Sequence, residues 1–417
     1  MDSLKISEPG KAYNVLRRMG AMPGELDDLS TFTLPSFENL SPEESVEKIA
    51  EHFSKISREF PPIEAKYLPD RVKKKLKYTE NESKIPRIFE YEVFKKIQAT
   101  NKPKSGVPGD LPTRIVKEFG PELAVPMCSI FKGVVNSAKQ GVAKWPSSWK
   151  YEFGIPLQKS QDPKTEDDLR IISLTAFFSK VLEKFVVEWL MQYIGDKIDP
   201  KQFGGLKGNS ISHYMIELIN FIQYNQDYNL PIGVLACAID FSKAFNRQNH
   251  NTLITKLSDL GVPGWLLKIV MAFLQNRKMQ VRYKGKTSEI KPMPGGGPQG
   301  TLLALILFIV MINDIGFDDQ KNDAGELITS KRNLKLANEI HLKFVDDLTL
   351  AEAINLPELL VKESGSLELN LPSQKSKVYR KLQQVRDQAE QNQVKINYKK
   401  TKLMVFNPCK SLGFNSQ

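Results

Sequence analysis

The run Val234-Leu235-Ala236-Cys237-Ala238-Ile239-Asp240 constrains the fold more than any other stretch. Six apolar residues in a row, with Val and Ile among them, predict a central strand buried within a sheet. The run ends on an ionisable side chain. An ionised carboxylate beside a core is costly unless something offsets its charge. A second stretch raises the same problem. Asp346 and Asp347 stand between Phe344-Val345 and Leu348-Thr349-Leu350. That pattern predicts a hairpin over 341–350 with both Asp at its tip. A bare surface turn also tolerates Asp-Asp, but the apolar flanks place this one against a core.

Adjacent carboxylates repel each other and resist desolvation. A divalent cation resolves both costs. Carboxylate oxygens suit hard Mg²⁺, whose octahedron is usually completed by waters and substrate phosphates. Two such ions about 3.5–4 Å apart can catalyse in-line phosphoryl transfer. Asp240, Asp346 and Asp347 are therefore candidates to hold such cations.

Charge points the same way. The 417 residues carry 59 Lys and Arg against 48 Asp and Glu, a net +11. Such an excess favours a polyanionic partner, either nucleic acid or an anionic membrane surface. The longest apolar stretch, Leu302 to Ile312, is too short to span a bilayer and reads as a buried helix. Three widely separated cysteines form no Cys/His cluster of the kind that holds zinc. They fit a reducing, intracellular compartment.

Elsewhere helices and strands mix without strict alternation, so the expected fold class is α+β. Ser41-Pro42-Glu43-Glu44 signals a helix start, followed by an apolar stripe of Val46, Ile49, Ala50 and Phe53. Arg71 to Lys77 is the densest basic run, either a solvated helix face or a phosphate contact. Residues 104–110 read as a turn-rich loop and 153–157 as a short apolar strand. Amphipathic helices are predicted over 179–194, 211–222, 251–261 and 265–274. Met279, Val281 and Tyr283 alternate before Lys284-Gly285-Lys286, a hairpin signal.

Three motifs in order give these residues a context: Ala238-Ile239-Asp240-Phe241-Ser242-Lys243-Ala244-Phe245-Asn246, Gly297-Pro298-Gln299-Gly300-Thr301-Leu302-Leu303, and Phe344-Val345-Asp346-Asp347. Supporting pieces are Ser105-Gly106 with Pro112, Ile155-Pro156-Leu157 with Lys159, Arg170 with Ile172-Ser173-Leu174, Gln202-Phe203-Gly204-Gly205, and Asn397 with Lys400-Thr401-Lys402. Together they resemble the reverse transcriptases of non-LTR (LINE-type) retrotransposons over roughly three quarters of the chain.

The resemblance implies a right-hand polymerase fold with fingers and palm, the thumb largely missing. The implied division is a mainly helical accessory region over 1–100, fingers and the start of the palm over 101–230, palm over 231–407, and a truncated C-terminus over 408–417. It implies RNA-directed DNA synthesis with two Mg²⁺, for which Mn²⁺ can substitute, on an RNA template and DNA primer with dNTPs. No membrane is involved, and the implied place of action is the nucleus. Asp240, Asp346 and Asp347 are the implied metal triad. Phe245 would sit under the incoming sugar and exclude a 2′-hydroxyl. Lys159 and Arg170 would hold the triphosphate, Gln299 and Gly300 would line the nucleotide and template site, and Lys400 would lie near the pyrophosphate.

Asn246 stands where many family members have Asp, Ala304-Leu305 where Gly-Pro is common, and Ile171 where Pro is common. None of these removes a metal ligand. Viral RNA-dependent RNA polymerases share the palm logic but usually carry a second Asp near the Phe245 position and Gly before the Asp pair. A further alternative is a nucleic-acid-binding remnant of such an element with weak or lost catalysis.

Overall fold

The computed structural model describes residues 32–77, 85–100, 107–228, 232–316, 339–355, 360–363, 366–369 and 377–406. Ser105-Gly106 and the segment 408–417 lie outside them. The chain forms two units, each assembled from two segments: Met1–Lys197 with Phe245–Leu307, and Ile198–Ala244 with Phe308–Gln417.

In the first unit, the helices begin with α1 (Pro42–Ser57), α2 (Asp70–Lys77), α3 (Glu90–Gln98), α4 (Thr113–Glu118), α5 (Gly120–Lys139) and α6 (Phe177–Ile194). The strands β1 (Tyr151–Gln158), β2 (Leu169–Leu174), β4 (Arg277–Tyr283), β5 (Lys286–Thr287) and β6 (Lys291–Met293) form a mixed sheet in the order β2-β1-β4-β5, with β6 also on β4. Strand β1 runs antiparallel to β2 and parallel to β4. The predicted capping box opens α1: the Ser41 hydroxyl accepts from Glu44 N–H, and the Glu44 carboxylate accepts from Ser41 N–H. The α1 stripe of Val46, Ile49, Ala50, Phe53 and Ile56 is buried on Leu169, Ile171, Met279, Val281 and Tyr283 of the sheet. The first stretch of the chain thus closes one sheet face, removing apolar area from water.

The basic run 71–77 is helical, and much of its charge is spent inside the unit. Arg71 grips both oxygens of Asp259 at 2.9 Å, and the Lys75 ammonium donates to the Ser258 carbonyl at 2.9 Å. Helices α8 (His250–Asp259) and α9 (Gly264–Leu274) match their predicted places. Helices α3, α4 and α5 were not foreseen. The hairpin signal at 284–286 is the β4–β5 turn, with Lys284 and Gly285 both at positive φ.

The second unit is built on an antiparallel sheet in the order β11-β3-β8-β7. Its strands are β3 (Ile232–Ile239), β7 (Glu339–Phe344), β8 (Asp347–Asn355) and β11 (Lys402–Phe406). Strand β3 is central, as its continuous apolar run requires, with Val234, Leu235, Ala236, Cys237 and Ile239 buried. Helix α7 (Ile211–Tyr228) packs on β3 and β7 through Phe221 and Tyr214, extending beyond the predicted end at 222. Helix α10 (Leu302–Met311) is the predicted buried apolar helix, and the chain passes from one unit to the other within it. Helix α11 (Lys377–Gln391) packs on β8 with Val378, Val385 and Ala389 buried. Two further strands, β9 (Leu360–Glu363) and β10 (Ser366–Leu369), pair antiparallel with each other.

Candidate active site

Sheet register brings the three aspartates to one end of the second unit. Ile239 of β3 pairs with Leu348 of β8, so Asp240 and Asp347 each stand one step beyond that pair. Phe344 pairs with Asp347 across the β7–β8 hairpin, leaving Val345 and Asp346 as a two-residue turn. Asp347 is therefore the first residue of the strand, with Asp346 alone of the pair in the turn. Asp240 and Asp346 are half-buried and Asp347 is exposed. The protein around Asp347, together with the charges of Asp346 and Asp240, pushes its carboxyl above the ordinary range. Carboxylates that feel one another this way are short of positive charge.

Among the described residues, no three His, Cys, Asp or Glu side chains are gathered closely enough to close a metal site unaided. The carboxylate oxygens of Asp240, Asp346 and Asp347 are of the hard kind that Mg²⁺ takes, with water and phosphate usually completing its shell.

The segment around Lys400 is stitched to the same strand end. Asn397 N–H donates to the Asp240 carbonyl at 2.8 Å, Ser242 N–H to the Lys395 carbonyl at 2.7 Å, and Phe241 bridges to Ile396. Lys400 itself is exposed, on a turn closed by its own N–H to the Asn397 carbonyl.

The other predicted residues belong to the first unit. Lys159 and Arg170 share the β1–β2 hairpin, both exposed, with Arg170 opposite Leu157. The Lys159 ammonium donates to the Asp167 carbonyl at 2.9 Å, so it closes its own loop. Phe245 is half-buried in a single 3-10 turn, Ala244–Asn246. Its carbonyl accepts from Gly297 N–H at 2.8 Å, and the Gln299 carbonyl accepts from Ser173 N–H at 2.9 Å. The glycine-rich loop thus ties Phe245 to the end of β2. Within it, a Cβ on Gly296 would lie 2.8 Å from the Asn246 carbonyl oxygen, so only glycine permits this approach. Gly300 also takes a positive φ of 114°.

Three supports were not foreseen. Glu183 of α6 is buried and accepts from Leu303 N–H at 3.3 Å, at the start of α10. Burial pushes its carboxyl up. Gln202 holds the Val345 peptide. His250 is buried and bonds the Gly296 carbonyl at 2.5 Å through Nε2. Of the three, Gln202 alone belongs to a sequence motif, Gln202-Phe203-Gly204-Gly205. The others had no local signal, because their partners lie far along the chain.

His250 carries a pH consequence. Burial depresses its pKa from 6.5 to about 4. The unfolded chain then binds more protons than the native one across that window. Its contribution is complete above pH 6.5 and is lost as pH falls toward 4. Urea midpoints of the protein are expected to drop over this range, and a His250→Gln variant to drop less. Equal slopes would show that His250 is not buried neutral.

Residues 162–416 match the family described as "Reverse transcriptase (RNA-dependent DNA polymerase)", more than half the chain. The chain belongs to that family, whose fold is the fingers and palm of a polymerase. Its relatives include the RNA-directed DNA polymerase from mobile element jockey of Drosophila melanogaster, 26% identical over 189 residues, 44% of this chain and 20% of the relative. The probable RNA-directed DNA polymerase from transposon BS of the same species is 26% identical over 196 residues, 46% of this chain and 21% of the relative. These relatives support the non-LTR, LINE-type resemblance carried by the motifs. The chain spans about a fifth of their length over the matched regions. No helix among the described residues is long and apolar enough to cross a membrane.

Proposed function

We propose that this chain is the polymerase core of a non-LTR retrotransposon, copying RNA into DNA from a DNA primer. The observation that carries this is the register placing Asp240, Asp346 and Asp347 at the shared end of β3 and the β7–β8 hairpin. Residues 1–100 are read as the accessory region, 101–230 as the fingers and the start of the palm, and 231–407 as the palm that carries the three aspartates. In the reaction, a primer 3′-hydroxyl attacks the α-phosphate of a dNTP, forming the new phosphodiester bond as pyrophosphate leaves.

Asp240, Asp346 and Asp347 would hold two Mg²⁺, or Mn²⁺ in their place. Bound there, the ions lower the pKa of the attacking hydroxyl and stabilise the leaving pyrophosphate. The residues' own work is positional and electrostatic. The aspartates fix where positive charge accumulates. Arg170 and Lys159 offer cations to the triphosphate, with Lys159 first leaving the Asp167 carbonyl. Gln299 and Gly300 present backbone and amide to the nucleotide and template. Lys400 follows Asn397, whose N–H donates to the Asp240 carbonyl, and would act as the proton donor to pyrophosphate.

The test is extension of a DNA primer on an RNA template with Mg²⁺, using dNTPs and NTPs separately. Incorporation of dNTPs is expected. Retained RNA binding with no extension would instead select the catalytically inactive remnant. Phe245→Val should open room for a 2′-hydroxyl and lower discrimination against NTPs by roughly 10- to 100-fold, the range a pocket of changed size typically supplies. Unchanged discrimination would remove Phe245 from the sugar site.

A further inference from the structure

The β7–β8 turn is strained where it matters. Val345 has φ 58°, a left-handed conformation that is a genuine outlier for a β-branched residue. Glycine is the usual occupant of a hairpin position of this kind. The next two residues are Asp346 and Asp347. Something must hold the turn, and the Gln202 side chain is in place to do so.

Gln202 is 1% exposed. Its Oε1 accepts from Val345 N–H at 2.9 Å and from Gly204 N–H at 2.9 Å, and its Nε2 lies 3.4 Å from the Val345 carbonyl oxygen. One amide therefore reads both polar groups of the strained residue. The backbone around it runs beside β7. Lys343 N–H donates to the Lys201 carbonyl at 2.9 Å, and Phe203 N–H to the Lys343 carbonyl at 2.8 Å. Gly204 makes the contact possible, since a Cβ there would lie 2.5 Å from the Val345 nitrogen.

The same segment is anchored from behind. The Lys343 ammonium, 1% exposed, sits 2.8 Å from Asp199, and His341 bonds the same carboxylate at 2.9 Å. Lys343 also donates to the Asn313 carbonyl at 2.8 Å. Strand β7 and the 199–204 segment are therefore fixed to each other by side chains as well as backbone. Local strain persists only where surrounding structure over-determines it.

We propose that Gln202 is a positioning residue, whose side-chain amide holds Val345 in its left-handed conformation and so sets where Asp346 and Asp347 present their carboxylates. It rests on the polymerase reading of those two aspartates. A displacement of about 1 Å at reacting groups can cost on the order of 100-fold in rate.

The test compares the parent, Gln202→Leu, Val345→Gly and the double variant in the full chain. Gln202→Leu is expected to lower kcat for dNTP incorporation by roughly 10- to 100-fold, with KM for primer–template unchanged. Val345→Gly needs no clamp, because glycine adopts positive φ freely. In its background the Gln202→Leu effect should shrink to within about threefold. Amide exchange at 345–348 should quicken about tenfold in Gln202→Leu while 350–352 stays protected.

A fall in melting temperature with unchanged kcat, or no rescue by Val345→Gly, would mean that Gln202 only fills space. Asp346→Asn separates the two readings. If that substitution leaves incorporation intact, the catalytic assignment fails. If it abolishes incorporation while Gln202→Leu does not lower kcat, only the positioning role fails. Should the parent not extend primers, unchanged exchange at 345–348 in Gln202→Leu would overturn the clamp by itself.

Discussion

Asp346→Asn is expected to lower RNA-templated dNTP incorporation by at least roughly 1,000-fold, the upper end of what one electrostatic group supplies to a transition state. Asn keeps the size of the side chain and one oxygen, so the turn should survive. What goes is one negative charge from a set of three. Asp347 feels both Asp346 and Asp240 as repulsion. The protein should therefore become no less stable, and its thermal midpoint should hold or rise. Loss of activity with retained or increased stability is the signature of a site built against its own stability. Asp240→Asn should behave alike, since its neighbour Ile239 is locked against Leu348. Undiminished incorporation by either variant would remove that aspartate from the reaction.

Arg277→Met is expected to destabilise the protein by about 3–5 kcal/mol, the usual cost of stranding one partner of a buried ion pair. Arg277 opens β4 and bonds Glu152 of β1 at 2.6 Å, with both side chains almost wholly buried. Its guanidinium lies over the Phe273 ring at 4.8 Å and donates to the Phe273 carbonyl at 3.2 Å. Without Arg277, the Glu152 charge is left inside the sheet. The double variant Glu152→Leu/Arg277→Met should recover most of the loss, because a well-packed apolar pair often matches a buried ion pair. Recovery should stop short of complete. The Arg277 charge also holds down the carboxyl of buried Glu183, which burial pushes up. Urea unfolding of the four members of this cycle gives the coupling directly. A single variant as stable as the parent would show the pair to be hydrated.

Much of the sheet around the candidate site could be read from residue order. The β3 run demanded a central strand and received two neighbours. The apolar flanks of Asp346-Asp347 demanded a hairpin against a core. Ser41 and Glu44 announced α1. What escaped notice had weak local pattern or distant partners. Helix α11 is dominated by charged and polar residues, with Val378, Val385 and Ala389 as its buried stripe. Strand β11 is an edge strand of five residues whose place depends on pairing with β3. The partners of Arg71 and Lys75 in the basic run, Asp259 and the Ser258 carbonyl, lie far along the chain.

The electrostatic cost of Asp240, Asp346 and Asp347 was legible in the sequence alone. A carboxylate at the end of a buried strand, and two more in an apolar hairpin, carry their electrostatic cost wherever the chain folds. Tertiary structure decided how that cost is held in place. Val345 gives no hint in sequence of a left-handed conformation, because φ there is imposed by contacts rather than by the residue's own preference. The group that imposes it, Gln202, lies 143 residues away along the chain. Local pattern can foretell a strand or a turn, since both are set by neighbours in sequence. It cannot foretell which buried amide will meet that turn, because only the folded sheet brings the two together.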